Sequence, residues 1–158
     1  MRQEGAASQE KVTVLVVDDD DSLRQTLCAI LAATGYQVRS AEDGFAALAE
    51  LHESLPDILL SDLNMPRMSG FELLSVVRSR FPALHVIAMS GAYVGCAIPP
   101  GVVAEAFYEK GSNIKELLRL IETMSRRETN PAPRKTVRGL VESEPSFVHA
   151  PVFRSSKG

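Results

Sequence analysis

Sulfur and imidazole are scarce in this chain, which has two cysteines and three histidines among 158 residues. Cys28 falls inside a helical pattern and Cys96 inside a loop, so no disulfide framework is indicated and both are expected to be reduced thiols. His52, His85 and His149 are scattered, with no Cys or His at ligand spacing, which argues against a zinc site. No stretch of about 18 apolar residues is available to span a bilayer. The start, Met1 to Lys11, lacks the apolar segment of a secretory signal, and the expected location is cytoplasmic. Neither sign of charge dominates the whole, since the formal net charge is −3. The halves differ, however. Residues 1–125 hold ten Lys and Arg against seventeen Asp and Glu, a balance of −7, while residues 126–158 hold seven against three, a balance of +4. An acidic core disfavours nucleic acid as a direct ligand.

With 45% hydrophobic residues, the chain supplies one core and is too short for two ordinary domains. Residues 1–10 read as a flexible start and 11–125 as one domain. The stretch 126–158 carries Pro131, Pro133, Pro145 and Pro151 with Ser, Arg and Lys between them, and shows no sustained period. It reads as a basic, disordered tail. Its Leu140, Val141, Phe147, Val148, Val152 and Phe153 are either incidental or a short docking motif.

What the chain does offer is oxygen. Two apolar, β-branched runs end on carboxylates: Val12 to Val17 leads into Asp18, Asp19, Asp20 and Asp21, and Ile58 to Ser61 leads into Asp62. Buried parallel strands read this way, and parallel sheets carry their functional groups just beyond the carboxyl ends of the strands. Carboxylates crowded at one rim repel each other and lose hydration, an arrangement that calls for a hard divalent cation.

Helical spacing of Leu23, Leu27, Ile30 and Leu31, stopped by Gly35, predicts a first helix. Tyr36 to Ala41 reads as a second strand. Phe45, Leu48 and Leu51 mark a helix after Asp43-Gly44, and a third strand runs from Pro56 to Asp62. Phe71, Leu74 and Val77 mark a third helix, and a fourth strand from His85 to Met89 ends on Ser90. Glu105 to Glu109 is a fifth strand ending on Lys110. Between these last two, Gly91, Gly95, Pro99, Pro100 and Gly101 leave room only for a short or distorted fourth helix. Ile114, Leu117, Leu118, Ile121 and Met124 form the apolar face of the last helix, with Asn113 and Glu116 as its capping box. Alternating strands and helices predict a five-stranded parallel α/β sheet covered on both faces.

The strand ends together supply Asp18, Asp19, Asp62, Ser90 and Lys110 at one rim. A carboxylate becomes a useful nucleophile when a cation aligns a phosphate donor, and an ammonium and a hydroxyl hold the transferred oxygens. Magnesium suits this set better than calcium, since it takes one or two carboxylates, waters and phosphate oxygens. Asp20 and Asp21 are placed in the loop and first turn of the first helix, facing the positive end of its dipole, without a metal role. Met65 and Met68 are expected to cover the start of the third helix.

Over residues 11–125 the chain resembles the receiver domains of bacterial two-component response regulators. The resemblance rests on Val-Leu-Val-Val-Asp-Asp-Asp-Asp-Ser-Leu-Arg, Ser-Asp-Leu-Asn-Met-Pro-Arg-Met-Ser-Gly, Met-Ser-Gly-Ala and Glu-Lys, in that order at successive strand ends. It implies a flavodoxin-like, doubly wound sheet of order 2-1-3-4-5. It implies that Asp62 is the phosphoacceptor for a histidine kinase or phosphotransfer protein. Asp19 and Asp62 would bind magnesium (or manganese) through their carboxylates, Asn64 through its backbone carbonyl and Asp18 through water. Ser90 would be the switch hydroxyl, Lys110 the cation that pairs with the phosphoryl oxygens, and Phe107 the aromatic switch, while Pro66 and Gly70 match the turn that positions the third helix.

Two departures from the family pattern stand out. Gly111 follows Lys110 where the family usually has proline, and the segment 91–101 is interrupted by prolines. No DNA-binding or enzymatic output domain is legible after Arg126, so the expectation is a stand-alone receiver, monomeric or weakly dimeric, signalling to an unknown downstream protein without nucleic acid contact. Two other readings stay open. One is a degenerate receiver that binds partners without phosphorylation. The other is a haloacid-dehalogenase-like phosphatase using Asp18, since Asp18 to Ser22 fits that superfamily's Asp-x-Asp-x-Thr opening when Ser is allowed.

Overall fold

A computed structural model describes residues 10–93 and 98–128, with the side chains of 127 and 128 left out. The expectations for the flexible start, for Cys96, for part of the 91–101 segment and for the tail from 129 onward lie outside the described residues. Five strands alternate with helices in the order β1 (Thr13–Val17), α1 (Asp21–Thr34), β2 (Gln37–Ala41), α2 (Gly44–Glu53), β3 (Ile58–Asp62), α3 (Gly70–Arg80), β4 (His85–Ser90), β5 (Ala106–Glu109) and α4 (Ile114–Glu128). The sheet order is β2-β1-β3-β4-β5, and every neighbouring pair is parallel.

Period-two alternation sends the strand residues to two cores. Leu15, Val17, Leu59, Val86, Ala88 and Phe107 pack with Ala47 and Leu51 of α2 and Leu73, Leu74 and Val77 of α3. On the other face Val14, Val16, Ile58, Leu60, Ile87 and Met89 meet Leu27 and Leu31 of α1 and Leu117, Ile121 and Met124 of α4. All five residues of β3 are buried, as a central strand covered on both faces requires. Met65 joins the first of these cores instead of simply covering α3.

Several boundaries differ from expectation for identifiable reasons. β3 begins at Ile58, two residues after Pro56, because the Asp57 carboxylate takes the Thr13 amide at 2.6 Å in place of a ladder bond. Glu105 stays outside β5: its own amide reaches Val86 O at 2.9 Å, but its carboxylate returns the bond from the Val86 amide at 2.7 Å. Among the described residues no helix lies between β4 and β5. The described part of the segment has bends at 91–93 and a turn at 100–101, where Val102 N donates to Pro99 O and Pro99 and Pro100 bring no amide of their own, in keeping with a connection too irregular for a full helix; the rest of the expected short or distorted fourth helix lies outside the described residues.

Helix capping also redistributes. Asn113 Oδ1 accepts from the Lys115 amide at 3.0 Å, without the reciprocal bond from Glu116 that a capping box needs. The complete box is at α3, where the Ser69 hydroxyl takes the Glu72 amide and the Glu72 carboxylate takes the Ser69 amide at 2.8 Å.

Candidate functional site

The carboxyl ends of β1, β3 and β4 and the residue after β5 converge. Asp18 is fully buried, its Oδ1 accepting from the Asp20 amide at 2.9 Å. Asp62 is 2% exposed, and its Oδ1 accepts from the Asn64 amide at 3.0 Å. Lys110 Nζ stands between these acids, 2.9 Å from Asp18 Oδ2 and 2.8 Å from Asp62 Oδ2. Asp19 is exposed, yet one oxygen from each of Asp18, Asp19 and Asp62 lies within 4.8 Å of the others.

The acidic run from 18 to 21 divides by role. Asp20 is the N-cap of α1, its Oδ1 accepting from the Leu23 amide at 3.0 Å. Asp21, in the first turn, pairs with Arg24 and accepts from Gln25 at 2.7 Å. Arg24 in turn donates to Asp18 O at 2.7 Å, which braces the β1–α1 loop from outside the acid cluster. No sequence signal singled out Arg24; only the path of α1 brings it back to Asp18.

Ser90 is fully buried at the end of β4 and accepts from Asn64 Nδ2 at 2.8 Å and from the Ala92 amide at 3.0 Å. With these two donors filling its lone pairs, its own proton is free to serve a third group. Phe107 is 7% exposed and belongs to the core that α2 and α3 cover, one residue before Tyr108, whose hydroxyl donates to Ser112 O at 3.1 Å.

Electrostatics at the rim are strained. Burial pushes the Asp62 carboxyl above the usual carboxylate range, an effect that Asp18 reinforces and that Lys110 and the Asn64 amide only partly offset. Burial works the other way on Lys110, but the two carboxylates outweigh it and hold the ammonium above its ordinary value. Three carboxylates against one ammonium leave two negative charges, which a divalent cation balances. Asp18 Oδ2 is buried and ion-paired, yet has no aligned hydrogen bond, so it keeps acceptor capacity. A set of hard oxygens with one side open to solvent at Asp19 suits Mg2+, which prefers carboxylates plus waters.

The Lys110–Gly111 peptide is trans, and Gly111 lies at φ 88°, in the left-handed region. Proline, held near −65°, cannot occupy that conformation. Gly111→Pro, which restores the residue usual in the family, is therefore expected to destabilise the protein by more than about 1 kcal/mol. Urea denaturation of the variant measures it, and unchanged stability would show that the loop readily adopts another path.

A doubly wound parallel sheet with acids, an amide, a hydroxyl and an ammonium gathered at its carboxyl rim defines a flavodoxin-like α/β protein. A family model for the response regulator receiver domain matches residues 14–122, and the chain belongs to that family. It is 46% identical over 77 residues to the DNA-binding transcriptional regulator NtrC of Salmonella typhimurium, a match that takes in 49% of this chain and only 16% of NtrC. Among solved structures, the chemotaxis protein CheY4 of Vibrio cholerae aligns with a TM-score of 0.64 at 31% identity, covering 72% of this chain and 98% of that one. TrrA of Thermotoga maritima, solved in complex with Mg2+ and BeF, aligns with a TM-score of 0.67 at 27% identity, covering 72% of this chain and 98% of TrrA. Among the described residues no helix is long and apolar enough to cross a membrane.

Proposed function

We propose that the chain accepts a phosphoryl group from a histidine kinase, or from a phosphotransfer protein, onto Asp62 in a Mg2+-dependent reaction and passes the resulting change to a partner protein. The observation that carries this reading is the environment of Asp62, a buried carboxylate held by Lys110 Nζ at 2.8 Å and the Asn64 amide at 3.0 Å beside Asp18 and Asp19. A structure of TrrA with the histidine kinase ThkA supplies a precedent for the partner.

A carboxylate oxygen of Asp62 attacks the phosphorus of a phosphohistidine, the P–N bond breaks, and the departing imidazole takes up a proton. An acyl phosphate remains. When bound, the cation neutralises phosphate oxygens and aligns them for in-line attack; Asp18, Asp19, Asp62 and the Asn64 carbonyl are the residues to hold it. Lys110 is placed to leave Asp62 for a phosphoryl oxygen, since phosphorylation adds about −1.5 to −2 charge at that point. The Ser90 hydroxyl, oriented by Asn64 and Ala92, donates to another. Phe107, packed beside Ala88 in the same core, fills the space that the β4–β5 region vacates as Ser90 moves.

Acetyl phosphate with Mg2+ should add one phosphoryl group by intact mass, and EDTA should prevent it. No adduct from either acetyl phosphate or a cognate kinase would overturn the proposal. A phosphorylation-independent binding module would then be favoured, a reading to which Gly111 and the unusual β4–β5 segment lend support.

A further inference from the structure

The loop from Asn64 to Ser69 leaves the acid pocket and returns to it. At its near end the Asn64 amide holds Asp62 and the Asn64 side chain holds Ser90. At its return the Gly70 amide donates to Leu63 O at 3.0 Å. Its tip is Arg67, the one non-glycine residue with positive φ (68°) among the described residues. Side chains other than glycine hold that conformation only where their surroundings impose it.

The surroundings here are the start of α2. Arg67 is ion-paired with Asp43, whose side chain is 7% exposed and whose other oxygen accepts from the Ala46 amide at 2.8 Å as the N-cap of α2. That amide bond, with help from the Arg67 guanidinium, outweighs burial and holds the Asp43 carboxyl below the usual carboxylate range. The neighbouring Met68 lies over Gly44 so closely that a Cβ there would come within 2.8 Å of Met68 Cγ. Two successive residues of the loop, Arg67 and Met68, are thus pinned to Asp43 and Gly44, the N-cap and first residue of α2.

We propose that Asp43 and Arg67 form a clamp that fixes the β3–α3 loop against α2 and thereby sets the position of Asn64 at the cation site. Both are positioning residues, and their role toward the cation rests on the reading of Asp62 and Asn64 given above. Without the pair Arg67 leaves the left-handed region, the tip lifts from α2, and the Asn64 carbonyl loses its fixed aim toward the acids.

Three variants of the full chain test this. Asp43→Asn keeps a good N-cap while removing the charge. Arg67→Ala removes it from an exposed side chain, so that folding is not at risk, and Arg67→Lys conserves it. The readouts are amide hydrogen exchange over residues 63–69 in metal-free protein and Mg2+ affinity by calorimetry. Asp43→Asn and Arg67→Ala should exchange faster across the loop and bind Mg2+ about tenfold more weakly, the effect usual for residues that orient metal ligands. Arg67→Lys should restore both. Loop exchange and affinity equal to wild type in Asp43→Asn and Arg67→Ala would overturn the clamp, even with a lowered melting temperature. If the wild type binds Mg2+ but takes no phosphoryl group, the functional proposal fails while exchange and affinity still decide the clamp. A wild type that binds no Mg2+ overturns both.

Discussion

Asp62→Asn should abolish the phosphoryl adduct and yet make the metal-free protein more stable. The loss follows from chemistry, because a carboxamide supplies no nucleophilic carboxylate. The gain follows from the environment. Burial and the neighbouring Asp18 hold the Asp62 carboxyl above its ordinary value, so the folded state disfavours its ionised form more than the unfolded chain does. That penalty is in full force above the raised folded pKa and is relieved as pH falls through it toward the ordinary carboxylate range. Asparagine removes the penalty at neutral pH, keeps an oxygen for the Asn64 amide, and leaves Lys110 with Asp18 as its partner. The melting temperature of Asp62→Asn should therefore exceed the wild type's by a few degrees at pH 7, as commonly happens when a charged functional group is neutralised. The difference should close on acidification. Saturating Mg2+ should reverse the order, since a ligand bound only by the folded wild type stabilises it by mass action. Thermal melts at two pH values, with Mg2+ and with EDTA, check each part. A variant less stable than wild type without metal would show that the Lys110 pair outweighs desolvation.

The same acids mark how far the sequence alone reaches. Strand ends were legible because β-branched apolar runs break off sharply at Asp18, Asp62 and Ser90, and strict alternation sends successive residues to opposite cores. The order of elements followed from the same pattern. Division of labour among Asp18, Asp19, Asp20 and Asp21 was only half visible: four identical side chains in a row differ solely in where the entry to α1 points them. Ser69 and Asn113 make a similar point. Each stands three residues before a glutamate, and only at Ser69 does the backbone bring both halves of the box together. Arg67 and Asp43 were invisible, being 24 positions apart with nothing in either local pattern to link them. Gly111 was legible as a departure but not as a left-handed residue, which depends on the turn after β5. Before β5, the two adjacent prolines account for the turn and bends seen among the described residues of that connection, since neither supplies an amide to a helix.

Gly70→Ala is expected to be the most damaging single-methyl substitution at the site. A Cβ at Gly70 would overlap the Asp62 carbonyl oxygen and come within 2.6 Å of Leu63 Cα. Both obstacles are backbone atoms of a fully buried strand and its exit, so no side chain can swing aside. The start of α3 must move off β3, or the Asp62 peptide must turn. Either movement stretches the 3.0 Å bond from the Gly70 amide to Leu63 O and disturbs the Ser69–Glu72 capping box. Overpacking of this kind costs about 3 kcal/mol. Gly111→Ala provides the contrast: nothing lies within 4 Å of its Cβ, and only the left-handed conformation opposes it, at about 1 kcal/mol. Urea midpoints should therefore fall much further for Gly70→Ala than for Gly111→Ala. Phosphorylation should distinguish them too, because Gly70 rests on the backbone of Asp62 itself. Gly70→Ala should be phosphorylated slowly under conditions where it is still folded, and a wild-type rate there would mean that α3 yields without moving Asp62. Glycine at 70 is thus what lets α3 close directly over the end of β3, and the cost of any larger residue is borne by the start of α3 or by the Asp62 peptide.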